Sequence, residues 1–193
     1  MMKKYVLIVM LAFTGLHLRA QTGLNKGDSA PVFSTTDNAG KAVDLKTLLK
    51  AHKSVVLFFY RGEWCPYCNK HIAQLQDSLQ LLSARGAYVI AVTPETKEGI
   101  GKTVQKTHAS FSIVQDKGYT IMKDYKVNYV LDDATVAKYK GFGLDLNVSN
   151  GNTDHVLPVP ATYVINRSGK IAFVHFNKDY TRRASISDII RAL

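Results

Sequence analysis

At 193 residues, 46% of them hydrophobic, the chain is long enough for one domain with a full core plus a short leader. Its formal charge is +10, but the basic residues are scattered, with small clusters at Lys102–Lys106 and Arg182-Arg183. No basic stripe is interleaved with aromatics to suggest nucleic acid, so the charge reads as solvated surface, with a bias toward acidic partners as the alternative.

Lys3 and Lys4 followed by the apolar run Tyr5–Phe13 read as a secretory signal, with Ala20 as the small residue at its end. Nine apolar residues fall well short of the ~20 a membrane-spanning helix needs, so residues 1–20 are expected to be a signal peptide and 21–193 the exported domain. The expected location is a bacterial periplasm, with no membrane attachment after cleavage. Without Lys3, Lys4 and Arg19 the mature chain carries about +7.

From Gly27 to about Leu49 the pattern predicts short strands around an Asn38-Ala39-Gly40-Lys41 turn, then one or two helical turns over 46–51. Val55–Tyr60 is an unbroken apolar run, as in a central strand buried on both faces. A helix over 66–83 follows, with Pro66 at its first position and Ile72, Leu75, Leu79 and Leu82 as its buried stripe. Residues 87–92 make a second inner strand, and Thr93-Pro94-Glu95 opens another helix by its capping pattern. A strand over 111–115 and a short helix over 119–125 precede an insertion, 128–155. Within the insertion, 132–140 is predicted helical and the Gly/Asn-rich stretch through Asn152 a loop. Two strands, 161–165 and 171–176, are joined at Asn166-Arg167-Ser168-Gly169, and a capping box at Ser185 starts the last helix.

Cys65 and Cys68 are the two cysteines of the chain, three apart between that apolar strand and its helix. A helix N-terminus favours a thiolate through unpaired N–H groups and the macrodipole, and a second thiol one turn on can resolve a mixed disulfide. Zinc sites normally use four ligands, and no second such pair accompanies this one. A disulfide closing so small a loop stabilises weakly, so a structural staple is disfavoured.

The element order is that of the thioredoxin fold: α/β, a central mixed sheet flanked by helices, with an N-terminal β-hairpin extension and an insertion before the strand that follows Pro160. Over nearly all of its mature length the chain resembles the peroxiredoxin-like branch of the alkyl hydroperoxide reductase/thiol-specific antioxidant family. The resemblance is carried by Gly27–Phe33, Arg61-Gly62-Glu63-Trp64-Cys65-Pro66-Tyr67-Cys68, Lys140–Leu146, Leu157–Ile165 and Asp179-Tyr180-Thr181-Arg182-Arg183.

The resemblance implies two site assignments. Thioredoxin-like enzymes attack with the first cysteine of the motif, here Cys65. Peroxiredoxins have Thr-x-x-Cys and attack peroxide with the second, here Cys68. The arginine that peroxiredoxins carry near a late strand matches about Pro160, so the peroxidase set is incomplete. Pro160 instead resembles the cis-proline of thioredoxin-like enzymes, which would leave the Val159 backbone free to pair with a substrate strand.

The expected function is an exported thiol–disulfide oxidoreductase with Cys65 and Cys68 catalytic and Trp64, Val159 and Pro160 at the substrate. It uses no metal or organic cofactor, and its partners are protein or small-molecule disulfides and dithiols together with a redox partner. The alternative is a hydroperoxide reductase using Cys68 with Cys65 resolving. A lesser one is a copper or zinc carrier recruiting His71 or His155. His71 is expected at the surface, and Phe58 and Phe59 occupy the positions where a buried acid would serve thiol proton transfer.

Overall fold

The computed structural model describes residues 22–193, so the leader expected over 1–20 lies outside the described residues. A hairpin of β1 (Ser34–Thr36) and β2 (Ala42–Asp44) leads through α1 (Leu45–Ala51) into β3 (Ser54–Phe59). Next come α2 (Pro66–Asp77), α3 (Leu79–Ala84), β4 (Ala87–Thr93) and α4 (Lys97–Thr107). After β5 (Ser112–Gln115) and α5 (Thr120–Asp124), the insertion contributes β6 (Asn128–Val130), α6 (Asp133–Gly141), α7 (Leu146–Asn150) and β7 (Val156–Pro158). The chain closes with β8 (Ala161–Asn166), β9 (Ile171–Phe176) and α8 (Ile186–Arg191).

Five strands form the central sheet in the order β5-β4-β3-β8-β9. β3, β4 and β5 run parallel, β8 runs antiparallel to β3, and β9 antiparallel to β8. Every residue of β3 is buried, as its apolar run requires. Successive strand residues point to opposite faces, so Val55, Leu57 and Phe59 join one core with Leu45, Tyr125 and Tyr163. Val56, Phe58 and Tyr60 join the other, with Ile72 and Leu75 of α2 and both cysteines. A third cluster, Leu131, Leu146 and Leu157, roots the insertion, and Trp64 packs against it. The chain thus has a mixed α/β fold with the expected hairpin extension and insertion.

Three local expectations differ. The helix expected over 66–83 is broken at Ser78, whose backbone (φ −96°, ψ 1°) leaves helical geometry, giving α2 and α3. The stretch expected as loop holds α7, started by Asp145, whose side chain accepts from the Asn147 N–H at 2.9 Å and which ends on Gly151 at φ 68°. Finally, α4 starts at Lys97 with Thr96 as its cap, so Glu95 precedes the helix instead of opening it.

Among the described residues no peptide bond is cis, so the expected cis bond before Pro160 is trans. The insertion also takes up the backbone just before it. The chain passes from β7 through Val159 into β8, and the Val159 N–H donates to the Val127 carbonyl at 2.7 Å. The backbone donor expected to face a substrate strand is therefore already used.

Candidate active site

The sheet register gathers the site at one end. Phe59 ends β3 opposite Val92 of β4 and Ala161 of β8, and Ala161 lies opposite Phe176 of β9. The segments that follow β3, β4 and β9 and precede β8 therefore emerge together. They bring the Arg61–Cys68 motif, Glu95, Pro160 and Arg183 to the carboxyl ends of the parallel strands, where open α/β sheets place their sites.

Cys65 is the N-cap of α2, Pro66 its first residue and Cys68 lies within its first turn. Both cysteines are free thiols and each is only 1% exposed. The helix N-terminus is held by its neighbours. The Glu63 N–H donates to Glu95 Oε1 at 2.6 Å, and Asn69 Nδ2 donates to the Glu63 carbonyl at 2.6 Å. Lys106 pairs with the Glu63 carboxylate from α4. Gly62 is required at its position, because a Cβ there would collide with Trp64 Nε1 and sit 2.9 Å from Glu95 Oε1.

Arg183 is the residue sequence reasoning missed. Its Nη2 lies 3.3 Å from Cys68 Sγ and 3.9 Å from Cys65 Sγ, while Nη1 donates to the Tyr180 and Arg182 carbonyls. The chain has no arginine at Pro160, but it delivers a guanidinium to the thiols from the turn after β9. The signal was present in Asp179-Tyr180-Thr181-Arg182-Arg183. Arg182 pairs with Asp179 at the surface, whereas Arg183 turns inward.

These contacts separate the two thiols. Burial opposes ionisation of Cys68, but the hydrogen bond from Cys65, the Arg183 charge and the Arg61 N–H outweigh it and push its pKa down. The hydrogen bond Cys65 gives to Cys68, together with burial and the Cys68 charge, pushes Cys65 up. Of the two sulfurs, Cys68 is therefore the one these contacts favour in the ionised form.

Access runs the other way. A cleft of about 420 Å³ opens onto Cys65, walled by Trp64, Tyr67, Tyr139, Phe142 and Tyr180 with Arg61 in its floor. Trp64 is held by a hydrogen bond from Nε1 to Ser149 Oγ at 3.1 Å. Val159 and Pro160 are buried and do not line the cleft. A slightly larger cavity of about 490 Å³ beside Asp37, Tyr88 and Ser112 has no cysteine in its lining. There Ser112 Oγ hydrogen-bonds both the Tyr88 hydroxyl and Asp37 Oδ2.

Two buried titratable groups flank the thiols. His71 is 3% exposed, not at the surface, with its ring edge-on to Phe58. Burial, reinforced by the Arg183 charge and His175, pulls it down to about 3, so it is neutral. Glu95 is fully buried, and burial outweighs the Glu63 N–H to bring it up to about 7. It is a buried acid near the dithiol, contributed by the segment after β4 and not by β3. Among the described residues no three His, Cys, Asp or Glu side chains gather as a metal site, and His155 is hydrogen-bonded to Asn147 at 2.8 Å.

The AhpC/TSA family matches this chain over residues 26–174. Chloroplastic peroxiredoxin Q from Sedum lineare is 24% identical over 170 residues, 88% of this chain and 78% of that protein. The fold is similar to that of a peroxidoxin from Mycobacterium tuberculosis, with a TM-score of 0.65 at 17% identity over 86% of this chain and 94% of that one. It is also similar to the thioredoxin domain of a thiol–disulfide oxidoreductase from Bacteroides vulgatus, with a TM-score of 0.55 at 17% identity over 82% and 93% of the two chains. With the dithiol at the head of α2, these likenesses agree: the chain belongs to the AhpC/TSA family and is an oxidoreductase of thioredoxin-like fold.

Proposed function

We propose that the protein is an exported thiol–disulfide oxidoreductase working through Cys65 and Cys68. The carrying observation is the different placement of the two sulfurs: Cys65 lines the aromatic cleft, and Cys68 lies 3.3 Å from the Arg183 guanidinium, which favours its ionised form. In the reducing direction Cys65 Sγ attacks a substrate disulfide while its proton passes to Cys68, to which it is hydrogen-bonded. One substrate thiolate leaves and takes that proton. Cys68 Sγ then attacks Cys65 Sγ, the mixed disulfide breaks, and the second substrate thiolate is released. The oxidising direction is the reverse. Trp64 walls the cleft against which the substrate's apolar groups pack.

Cys68→Ser should accumulate mixed disulfides at Cys65 with a protein disulfide such as insulin, and Cys65→Ser should be inert toward the same substrate. Failure of Cys68→Ser to trap any substrate would sink the reading. Export rests on Lys3-Lys4 and the apolar run behind them. Protein recovered from its native envelope should begin near Gln21, and a product retaining Met1 or Met2 would refute export.

One observation favours a second reading. A guanidinium 3.3 Å from Cys68 Sγ suits a thiolate that attacks a hydroperoxide, giving a Cys68 sulfenic acid and an alcohol, after which Cys65 condenses to the disulfide and releases water. Rapid sulfenylation of Cys68 by dilute peroxide in Cys65→Ser would establish that reading in place of the first.

A further inference from the structure

The ion pairs among the described residues are Lys102–Glu98, Lys106–Glu63, Arg182–Asp179 and Arg191–Asp188. Neither Arg61 nor Arg183 belongs to one. Arg61 is 1% exposed, an unusual place for a cation without a carboxylate. Its guanidinium is caged by the rings of Tyr180, Trp64 and Tyr139 at 4.2, 4.9 and 5.7 Å, and Nη2 donates to the Tyr139 hydroxyl. Ring faces attract a cation but bring no net negative charge. Arg183 spends one nitrogen on two carbonyls and aims the other at the sulfurs.

The remaining groups nearby do not neutralise this pair. Glu63 is occupied by Lys106, Glu95 is pulled toward its neutral form by burial, and His71 and His175 are both pulled toward neutrality. Tyr60 and Tyr129 are held as neutral phenols by burial. The anion available to the two guanidinium groups is therefore the thiolate of the reduced site. Closing the disulfide removes that charge and leaves Arg61 buried among its aromatic rings and the half-buried Arg183 with only the Tyr180 and Arg182 carbonyls. Opening it restores the charge.

We propose that Arg61 and Arg183 set the direction of electron flow, making the Cys65–Cys68 disulfide an oxidant whose substrates are free thiols. The inference rests on the thiol–disulfide reading above. The chemistry fits the geometry at each sulfur. A substrate thiolate entering the cleft attacks Cys65 Sγ. The Cys65–Cys68 bond breaks, and Cys68 leaves as a thiolate directly onto Arg183, the arrangement in which a leaving sulfur departs fastest. A second substrate thiolate then attacks the substrate sulfur of the mixed disulfide and displaces Cys65. The substrate thiols lose two electrons and become a disulfide, and the protein gains them as a dithiol. Of the two substrate protons, one ends on Cys65 and the other goes to solvent, because Cys68 stays ionised.

The test is equilibration of the full chain with glutathione buffers of graded [GSH]²/[GSSG], acid-quenched and alkylated, beside thioredoxin in the same buffers. The wild-type disulfide should be half reduced at a ratio at least about tenfold below that needed for thioredoxin, since stabilising the dithiol form makes a disulfide more oxidising. Arg183→Met should move the midpoint upward by about tenfold or more, and Arg183→Lys, which keeps the charge without the fork, by less. The wild-type equilibrium should also shift toward the dithiol with rising pH once Cys68 is ionised, as proton release requires. In Arg183→Met that shift should begin at higher pH. A wild-type midpoint equal to thioredoxin's overturns the proposal without reference to any variant, as does an unmoved midpoint in a folded Arg183→Met. Absence of any exchange with glutathione would overturn both this inference and the function it rests on.

Discussion

Glu95 and His71 are titratable side chains buried at the dithiol, and they pull stability in opposite directions with pH. Glu95 rises from 4.5 to about 7 on folding, so the folded state holds a proton the unfolded state has lost. Its contribution is fully present below about pH 4.5 and disappears as pH rises through 7. His71 falls from 6.5 to about 3, so its contribution is present above 6.5 and disappears as pH falls toward 3. The two slopes oppose each other between 4.5 and 6.5, so a wild-type profile hides both. A difference measurement separates them. Glu95→Gln keeps an oxygen for the Glu63 N–H and cannot ionise. In urea unfolding at a series of pH values, the variant should gain on wild type by on the order of 3 kcal/mol between pH 5 and 8. A flat difference would mean that Glu95 ionises as easily in the fold as outside it. Residue chemistry at this level was partly legible in sequence. The paired cysteines located the site, but the environments of Glu95, His71 and Arg183 depend on which residues pack over them, and spacing along the chain carries no record of that.

At the scale of elements, the motif loop and the insertion are joined through one side chain. Trp64 donates to Ser149 of α7 and stacks near Tyr139 of α6, with ring centroids 5.7 Å apart. It packs against the small cluster of Leu131, Leu146 and Leu157. Trp64→Phe should retain most of the packing and lose the hydrogen bond, at about 1 kcal/mol. Trp64→Ala should cost about 3–5 kcal/mol and raise amide exchange across residues 131–150 more than in β3 or β4. Uniform exchange across the chain would show that the insertion is not anchored there. The elements themselves were largely readable. The apolar run of β3, the stripe of α2 and the hairpin of β8 and β9 follow from periodicity and turn residues. Two boundaries were not. The break at Ser78 interrupts an intact apolar stripe, and α7 is a single short helix whose stability comes from Leu146 in the third cluster and not from propensity. The cis expectation at Pro160 failed as well. It took the fold's common site geometry as given, whereas here the Val159 N–H is bonded to Val127, at the foot of the insertion.

At the scale of the whole molecule, the redox state and the fold are linked through one thermodynamic cycle. Folding and disulfide formation are two equilibria on the same chain, so whatever favours the dithiol in the folded protein favours folding of the dithiol chain. Arg183, the Arg61 N–H and the first turn of α2 act on Cys68 only when β3, β9 and the turn after β9 are assembled. In the unfolded chain the two thiols behave as a short peptide, and the loop they close is too small to restrict it much. An ordinary structural disulfide makes the oxidised protein the more stable form, typically by 2–4 kcal/mol. The proposed direction of electron flow predicts the opposite sign. Reduced protein should unfold at higher temperature than oxidised protein, by about 2–4 °C for each kcal/mol of difference in a domain of this size. Arg183→Met should narrow the gap or reverse it, because it removes the charge that favours the reduced fold alone. Calorimetry of both redox forms, with the thiols checked by alkylation before and after heating, measures the sign directly. An oxidised form that melts higher than the reduced one would contradict the oxidant assignment while leaving the dithiol's chemistry intact.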